Sequence, residues 1–245
     1  RIAVVCENQG IYIYENNARK FLVEIEQIPI TFNGKAVFNI ENSLAVIAGL
    51  LALNIDDNVI RIGLRSFMPD MYFNAGRLNL FNMGGFKVLM DYGHNLSGYD
   101  AVIRFAKTME HERLVGVIGM PGDRINESIF EVGKTCGQAF SRIYIKEDRD
   151  LRGRSQGVTA SILYHGALSA GAKKDNIEII LSEVDALETA INAALPGDLI
   201  VIFYEDFEGV SELISNYMKL NMQSNNIYVP VIDEVHSYMP VHTMQ

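Results

Sequence analysis

The chain has 245 residues, of which 49% are hydrophobic and 21% charged, a composition typical of a globular protein with a sizeable buried core. Its 21 Lys and Arg residues stand against 30 Asp and Glu residues, and the resulting net charge of −9 argues against nucleic acid as a partner. Cys6 and Cys136 lie far apart without metal-ligand spacing, which argues against a disulfide framework or a zinc site and favours a reduced, cytoplasmic setting.

The first 37 residues are predicted to form short strands separated by turns. IAVVC, IYIY and FLVEIEQI alternate with the turn segments ENQG and ENNARK, and Asn-Gly at 33–34 marks a further turn. This pattern predicts a β meander. Apolar residues at helical spacing then predict a helix over 40–53 and a second one over 59–67, which ends before Pro69. The apolar run at 44–53 is too short to cross a bilayer, so no membrane partner is expected.

A domain boundary is predicted in the connector SFMPDMYFNAG, which separates a first domain, 1–72, from a second, 73–220. Beyond it the predicted strands LNLF, FKVLM, LVGVIG, RIYIK, IEIIL and LIVIFY alternate with helices at 96–108, 125–139, 156–170, 183–194 and 207–219. Such alternation with nearly continuous apolar strands predicts an α/β fold with a doubly wound, mostly parallel, Rossmann-like sheet. Residues 221–245 show no clear periodicity and are predicted to form an extended tail.

Five polar segments stand near the predicted strand ends or helix starts. They are NIEN at 39–42, AGR at 75–77, DYGHN at 91–95, GMPGDR at 119–124 and KEDRDLRGR at 146–154. In an open α/β sheet ligands bind at the carboxyl ends of the strands, so these segments are candidates for a site. Neither GxGxxG nor GxxxxGK[ST] occurs, so a dinucleotide site is not supported.

Each segment taken alone also has a structural explanation. Asn39 and Asn95 would serve as helix N-caps, and Arg77 as a solvated arginine. The run of charges at 146–154 suits a solvated loop. Asp123 and Arg124 fit either a ligand contact or a structural ion pair at their turn.

Taken together and in this order, the five segments resemble the ATP-dependent Mur ligases, and within that family most closely the cyanophycin synthetases. The resemblance implies an enzyme that joins a carboxylate to an amine through an acyl phosphate, using ATP and Mg²⁺. For the cyanophycin synthetases, the amine is the α-amino group of arginine. The carboxylate is the β-carboxylate of aspartate in a poly-aspartate chain. A homo-oligomer is expected for the full-length enzyme.

The resemblance also implies roles for particular residues. Asn39 and Asn42 would lie near the adenine, and Arg77 and Asp91 near the ribose or the phosphates. His94 and Asn95 would lie near the γ-phosphate and the reacting carboxyl group.

The chemistry of the incoming arginine suggests further candidates. A guanidinium needs carboxylates, which Glu147, Asp148 or Asp150 would provide. Arg152 or Arg154 would pair with the carboxylate of the amino acid. No metal ligand is predicted within the chain.

The sequence also departs from the family pattern. The phosphate-binding loop of the central domain is missing, and the first residue is Arg1 rather than methionine. We therefore expect a carboxy-terminal fragment that is inactive alone. Two alternatives are another Mur-type ligase, of the folylpolyglutamate or peptidoglycan kind, and a non-catalytic binding or assembly module with the same fold.

Overall fold

A three-stranded antiparallel meander opens the fold. In the computed structural model, which describes residues 2–224, β1 (Ile2–Glu7), β2 (Gly10–Glu15) and β3 (Ala18–Glu24) pair in the order β1-β2-β3. Both turns consist of two residues with positive φ, 49° and 66° at 8–9 and 47° and 65° at 16–17. Tight hairpin turns of type I′ need this conformation, and Asn adopts it readily. The predicted meander is confirmed.

The prediction that the third strand continues to Ile28 is wrong. β3 ends at Glu24, and two 3₁₀ turns follow at Ile25–Gln27 and Pro29–Thr31. Ile25 and Ile28 are both buried. They are three residues apart, and residues at that spacing lie on the same face of a 3₁₀ turn. In the sequence the same apolar residues resemble the end of a strand.

Two helices, α1 (Val37–Ala52) and α2 (Asp57–Ser66), pack on the meander. The shared core consists of Ile11, Ile13, Leu22, Val23, Ile25, Ile28, Ile47 and Ile60. We call residues 2–66 the small lobe. Because α1 begins three residues before the predicted start at residue 40, Asn39 lies inside the helix. Its predicted alternative role as an N-cap is therefore wrong.

A six-stranded sheet forms the rest of the described chain. Its strands are β4 (Asn79–Asn82), β5 (Lys87–Asp91), β6 (Leu114–Ile118), β7 (Arg142–Ile145), β8 (Ile177–Ile179) and β9 (Leu199–Phe203). The order is β4-β5-β9-β6-β7-β8, and every pair is parallel except β4 with β5. The prediction of a mostly parallel sheet is confirmed.

Five helices cover the two faces of this sheet. They are α3 (Leu96–Lys107), α4 (Asn126–Ala139), α5 (Val158–Ser169), α6 (Glu183–Asn192) and α7 (Phe207–Ser224). The chain steps from β5 through β6 and β7 to β8 in one direction, and α3, α4 and α5 pack on one face. It returns to β9 through α6, and α6 and α7 pack on the opposite face. Right-handed crossovers place the helices in this way and make the sheet doubly wound.

Alternate residues of the central strands enter the two cores. In β9, Val201 and Phe203 face α3, α4 and α5, whereas Ile200 and Ile202 face α6 and α7. Because both faces are covered, every residue of β6 and β9 is buried. This explains the continuous apolar runs in the sequence.

The last described helix, α7, continues to Ser224, four residues into the predicted tail of 221–245. The remainder of that predicted tail, 225–245, lies outside the described residues. Among the residues that the structure describes, none of the helices has the length and apolar character that a membrane span requires.

Candidate functional site

A cleft of about 1000 Å³ lies between helices α1 and α2 of the small lobe and the turn that joins β5 to α3. It is lined by all of the side chains predicted to contact the nucleotide or the reacting groups: Asn39, Asn42, Arg77, Asp91, His94 and Asn95. They come from α1, the connector and the carboxyl end of β5. The fold thus brings together residues that are widely separated in the sequence.

The wall formed by α1 and α2 is mainly apolar, with an amide pair at one side. The Asn39 side-chain nitrogen donates to the Ile30 carbonyl oxygen at 2.8 Å, and its side-chain oxygen accepts from the Asn42 amide at 3.2 Å. Apolar side chains on this wall include Phe38, Val46, Leu50, Val59, Leu64 and Phe67. An apolar surface beside hydrogen-bonding amides can accept a planar heteroaromatic ring.

The connector before β4 has an unusual backbone that presents Arg77 to the cleft. Gly76 and Leu78 have φ values of 74° and 48°. A Cβ at Gly76 would overlap the hydroxyl of Tyr204 and force that side chain to move, and the positive φ also favours glycine there. The Arg77 side chain is exposed, and its guanidinium carbon lies 5.0 Å from the centroid of the Tyr92 ring.

Asp91, the last residue of β5, is a buried carboxylate that holds this connector. Its side chain accepts a hydrogen bond from the Leu78 backbone nitrogen at 3.0 Å. Burial raises the pKa of Asp91 to about 6, although the Leu78 N–H and the nearby Arg77 charge both favour the ionised form. The connector therefore depends on a carboxyl group that titrates near neutrality.

The protein is expected to lose stability through Asp91 as the pH rises from about 4 to about 6. Because the pKa is higher in the folded state than in the unfolded state, the folded state binds more protons in this range, and deprotonation costs free energy. Asp91→Asn cannot titrate, yet still accepts from Leu78. Its free energy of unfolding relative to wild type should increase by up to about 3 kcal/mol between about pH 4 and pH 7.

Urea denaturation at several pH values measures this difference. The matched control is Asp100→Asn on α3, since Asp100 is half exposed and pairs with the exposed Arg104. If the curves for wild type and Asp91→Asn ran parallel across the whole range, the assignment of this pH dependence to Asp91 would be wrong.

His94 and Asn95 follow Asp91 at the start of α3. His94 Nδ1 lies 3.1 Å from the Tyr92 carbonyl oxygen. A carbonyl only accepts, so Nδ1 carries the hydrogen and Nε2 is left to bind another group. The Asn95 side-chain oxygen accepts from the Gly98 nitrogen at 2.8 Å, which makes Asn95 the N-cap of α3 as well as a residue of the cleft.

Beyond His94, a narrow crevice continues along the carboxyl ends of β6, β7 and β9. Its lining includes His94, Lys146, Asp148, Arg152 and Tyr204. His94 therefore lies at the junction of the cleft and the crevice.

The loop after β7 contains the residues predicted to recognise the amino acid. Glu147 is buried, and its carboxylate accepts from the backbone nitrogens of Gly157 at 2.8 Å and Ala160 at 3.0 Å. It thereby caps the start of α5 and links the loop after β7 to that helix. Asp148 is also buried, and its side chain lies 2.9 Å from the Lys146 ammonium.

The remaining candidates of this loop fall into two groups. Arg154 donates to the carbonyl oxygens of Gly122 and Arg124 and so fastens the loop to the turn after β6. Asp150 and Arg152 are exposed, and Arg152 lies 3.3 Å from Asp123.

Three residues near this loop lie outside the segments predicted from the sequence: Glu183, Glu205 and Asp206. Lys146 was included as part of KEDRDLRGR but was given no role of its own. Glu183, Glu205 and Asp206 line a pocket of about 340 Å³ together with Glu147 and Asp148. For Glu205 and Asp206 the sequence did offer a signal, because YED directly follows the apolar strand LIVIF and so lies at the carboxyl end of a strand. Glu183 has no such signal, because a glutamate in the first turn of a helix is ordinary.

Comparisons with known proteins show which family the chain resembles. The family model "Mur ligase, glutamate ligase domain" matches residues 76–203. The cyanophycin synthetase of Geminocystis herdmanii is 40% identical over 216 residues, covering 88% of this chain and 24% of that protein. The UDP-N-acetylmuramyl-tripeptide synthetase of Borreliella burgdorferi is 28% identical over 168 residues, covering 67% of this chain and 32% of that protein.

A similar fold occurs in solved structures. The chain superposes on FolC of E. coli, solved in complex with ADP, with a TM-score of 0.59 at 16% identity, covering 92% of this chain and 47% of that one. This likeness supports the fold. The chain spans about a quarter of the length of the cyanophycin synthetase it matches. From the family model and the agreement in fold, the chain belongs to the Mur ligase family.

Proposed function

We propose that the chain forms part of an ATP-dependent ligase that joins the α-amino group of arginine to the β-carboxylate of aspartate in a poly-aspartate chain. Membership of the Mur ligase family and the relatives named cyanophycin synthetase support a ligase of this kind. The observation that carries the proposal is the convergence of Asn39, Arg77, Asp91 and His94 on one cleft.

In this proposal ATP occupies the cleft. The adenine lies against the apolar wall of α1 and α2, beside Asn39 and Asn42. The ribose and phosphates extend towards Arg77, Asp91 and the first turn of α3, where backbone N–H groups and the helix dipole favour negative charge. The exposed guanidinium of Arg77 can form paired hydrogen bonds with phosphate oxygens.

The Mg²⁺ implied by the resemblance has no protein cage among residues 2–220. No three His, Cys, Asp or Glu side chains in that part of the chain are arranged to hold a metal ion. Magnesium is usually bound through substrate phosphates and one or two carboxylates. Asp91 is the carboxylate in the cleft that fits this role.

The reacting carboxyl group is proposed to lie near His94, at the junction of the cleft and the crevice, with Asn95 beside it. The arginine approaches along the loop after β7, where Asp148 and Asp150 favour the guanidinium and Arg152 favours the carboxylate. Glu147 and Arg154 act there by holding the loop in place. The aspartate carboxylate oxygen attacks the γ-phosphorus of ATP, an O–P bond forms and ADP leaves, which gives the acyl phosphate. The amine nitrogen then attacks the carbonyl carbon, a C–N bond forms, the C–O bond to phosphate breaks, and inorganic phosphate leaves while the nitrogen gives a proton to solvent. Orientation, fixed charges and exclusion of water provide the catalysis.

Substitution of Arg77 tests the nucleotide site. Arg77→Ala should weaken ATP binding about 10- to 100-fold, because a hydrogen bond to a charged group contributes about 1.5–3 kcal/mol. Isothermal titration of ATP into the full gene product measures the affinity. The matched control is Arg104→Ala, since Arg104 is exposed on α3 and pairs with Asp100. Equal affinities of wild type and Arg77→Ala would contradict the assignment.

The 245 residues alone are expected to show no ATP-dependent ligation. No GxxxxGK[ST] sequence is present to surround the phosphates, and we expect ATP to be held incompletely without such a loop. The measurement is phosphate release with arginine and poly-aspartate present. Turnover by the purified chain would contradict this expectation.

A panel of amino acids tests the substrate in the full gene product. Arginine-dependent turnover supports the proposal. Turnover with glutamate or a diamino acid instead would indicate a folylpolyglutamate- or peptidoglycan-type ligase. If neither ATP nor any amino acid bound, a non-catalytic module with this fold would be favoured.

A further inference from the structure

Lys146 is a fully buried lysine held between two buried carboxylates. Its side chain is 1% exposed, and those of Asp148 and Glu183 are each 7% exposed. The Lys146 ammonium lies 2.9 Å from Asp148 Oδ1 and contacts Glu183 Oε2 directly. A buried ammonium is costly unless it is paired, so the position of Lys146 is defined by these two partners.

The neighbouring strand provides a slot for the lysine side chain. Lys146 passes so close to Gly119, after β6, that an added Cβ there would lie 2.5 Å from Lys146 Cε. The backbone of Gly119 is fixed in turn by Tyr99, whose hydroxyl donates to the Gly119 oxygen at 2.5 Å and accepts from the Gly119 nitrogen at 3.1 Å. The Lys146 side chain is therefore sterically confined to a position in which its ammonium contacts Asp148 and Glu183.

Glu183 extends the network to the turn after β9. Its carboxylate accepts from the Glu205 nitrogen at 3.0 and 2.8 Å and from the Asp206 nitrogen at 2.7 Å. The same carboxylate thus contacts the Lys146 ammonium and two backbone N–H groups. Asp148, Glu205 and Asp206 all line the pocket of about 340 Å³.

We propose that Lys146 and Glu183 are positioning residues for the amine-binding side of the site. Lys146 fixes the carboxylate of Asp148, and through Glu183 it fixes the backbone at Glu205 and Asp206. The loops after β7 and β9 are thereby held in one arrangement before the amino acid binds, which lowers the entropic cost of binding. This inference rests on the proposed function, since it takes that pocket as the amine-binding side of the site.

Amide hydrogen exchange in the 245-residue chain tests the geometric part without any ligand. In Glu183→Gln one carboxamide oxygen replaces two carboxylate oxygens, so it cannot serve Lys146 and both N–H groups. The amides of Glu205 and Asp206 should exchange at least about tenfold faster than in wild type. In the control Glu178→Gln, where Glu178 in the middle of β8 pairs with Arg142 at the start of β7, their exchange should be unchanged.

Kinetics in the full gene product test the functional part. Glu183→Gln should raise the KM for the amine substrate at least about tenfold and leave the KM for ATP within about twofold of wild type. If this variant does not fold, Glu183→Asp replaces it in the same measurement. Aspartate keeps the negative charge but is one methylene shorter, so the same change in the KM for the amine is expected.

The two measurements separate the two hypotheses. Unchanged exchange at Glu205 and Asp206, or a KM for ATP that rises as much as the KM for the amine, would overturn the positioning role. If wild type accepts no amino acid with ATP, the proposed function fails instead, and the exchange data alone decide whether Lys146 and Glu183 fix the turn.

Discussion

Lys146→Met is expected to lower the free energy of unfolding by about 3–5 kcal/mol, the range found when one partner of a buried ion pair is removed. Methionine fills most of the slot beside Gly119, so the loss of volume is small. The main cost comes from Asp148 and Glu183, which remain buried without their shared cation. Burial itself lowers the pKa of Lys146, but Glu183 and Asp148 outweigh it and raise the pKa, so wild type keeps the ammonium charged.

Urea denaturation of the 245-residue chain provides the measurement. The matched control is Lys134→Met, since Lys134 is half exposed on α4 and pairs with Glu131 one turn away. A change within about 0.5 kcal/mol is expected there, because exposed ion pairs contribute little. The triple variant Lys146→Met, Asp148→Asn, Glu183→Gln should recover part of the loss, since no buried charge remains in this cluster. A Lys146→Met protein as stable as the control would show that water or a rearranged loop solvates the two carboxylates.

The strands and helices of the large sheet were predictable from the sequence because their signals are local. Continuous apolar runs such as LIVIF mark strands buried on both faces, and helices such as α3 and α4 show an apolar stripe. The predictions failed where tertiary contacts decide the local structure. Asn39 is helical because the preceding 3₁₀ turns anchor α1, and Ile25 leaves the strand because it is buried in the small lobe.

The positions of the site segments were also predictable, since strand ends in an α/β sheet meet at one edge. What each side chain does there was not. KEDRDLRGR has the composition of a solvated loop, yet Lys146, Glu147 and Asp148 are buried. Their partners Glu183 and Gly157 come from other elements, and such long-range pairs leave no periodic signal in the sequence.

Gly166→Val is expected to destabilise the chain by about 3 kcal/mol or more, because helices α4 and α5 contact each other through their backbones. A Cβ at Gly166 would overlap the carbonyl oxygen of Phe130, and one at Gly133 would overlap that of Leu163. A backbone carbonyl cannot rotate away as a flexible side chain can. The two helices would have to separate, which would open the core that α3, α4 and α5 share with the sheet.

The same substitution at Gly49 is the matched control, since Gly49 lies in the middle of α1 with nothing within 4 Å of an added Cβ. Valine has a higher helix propensity than glycine, so Gly49→Val should be neutral or more stable than wild type by up to about 0.5 kcal/mol. Thermal and urea unfolding of the two variants give the comparison. Similar effects at both positions would mean that α4 and α5 can separate at little cost, and that the turn after β6 and the loop after β7, which precede these helices, are less firmly held than the structure indicates.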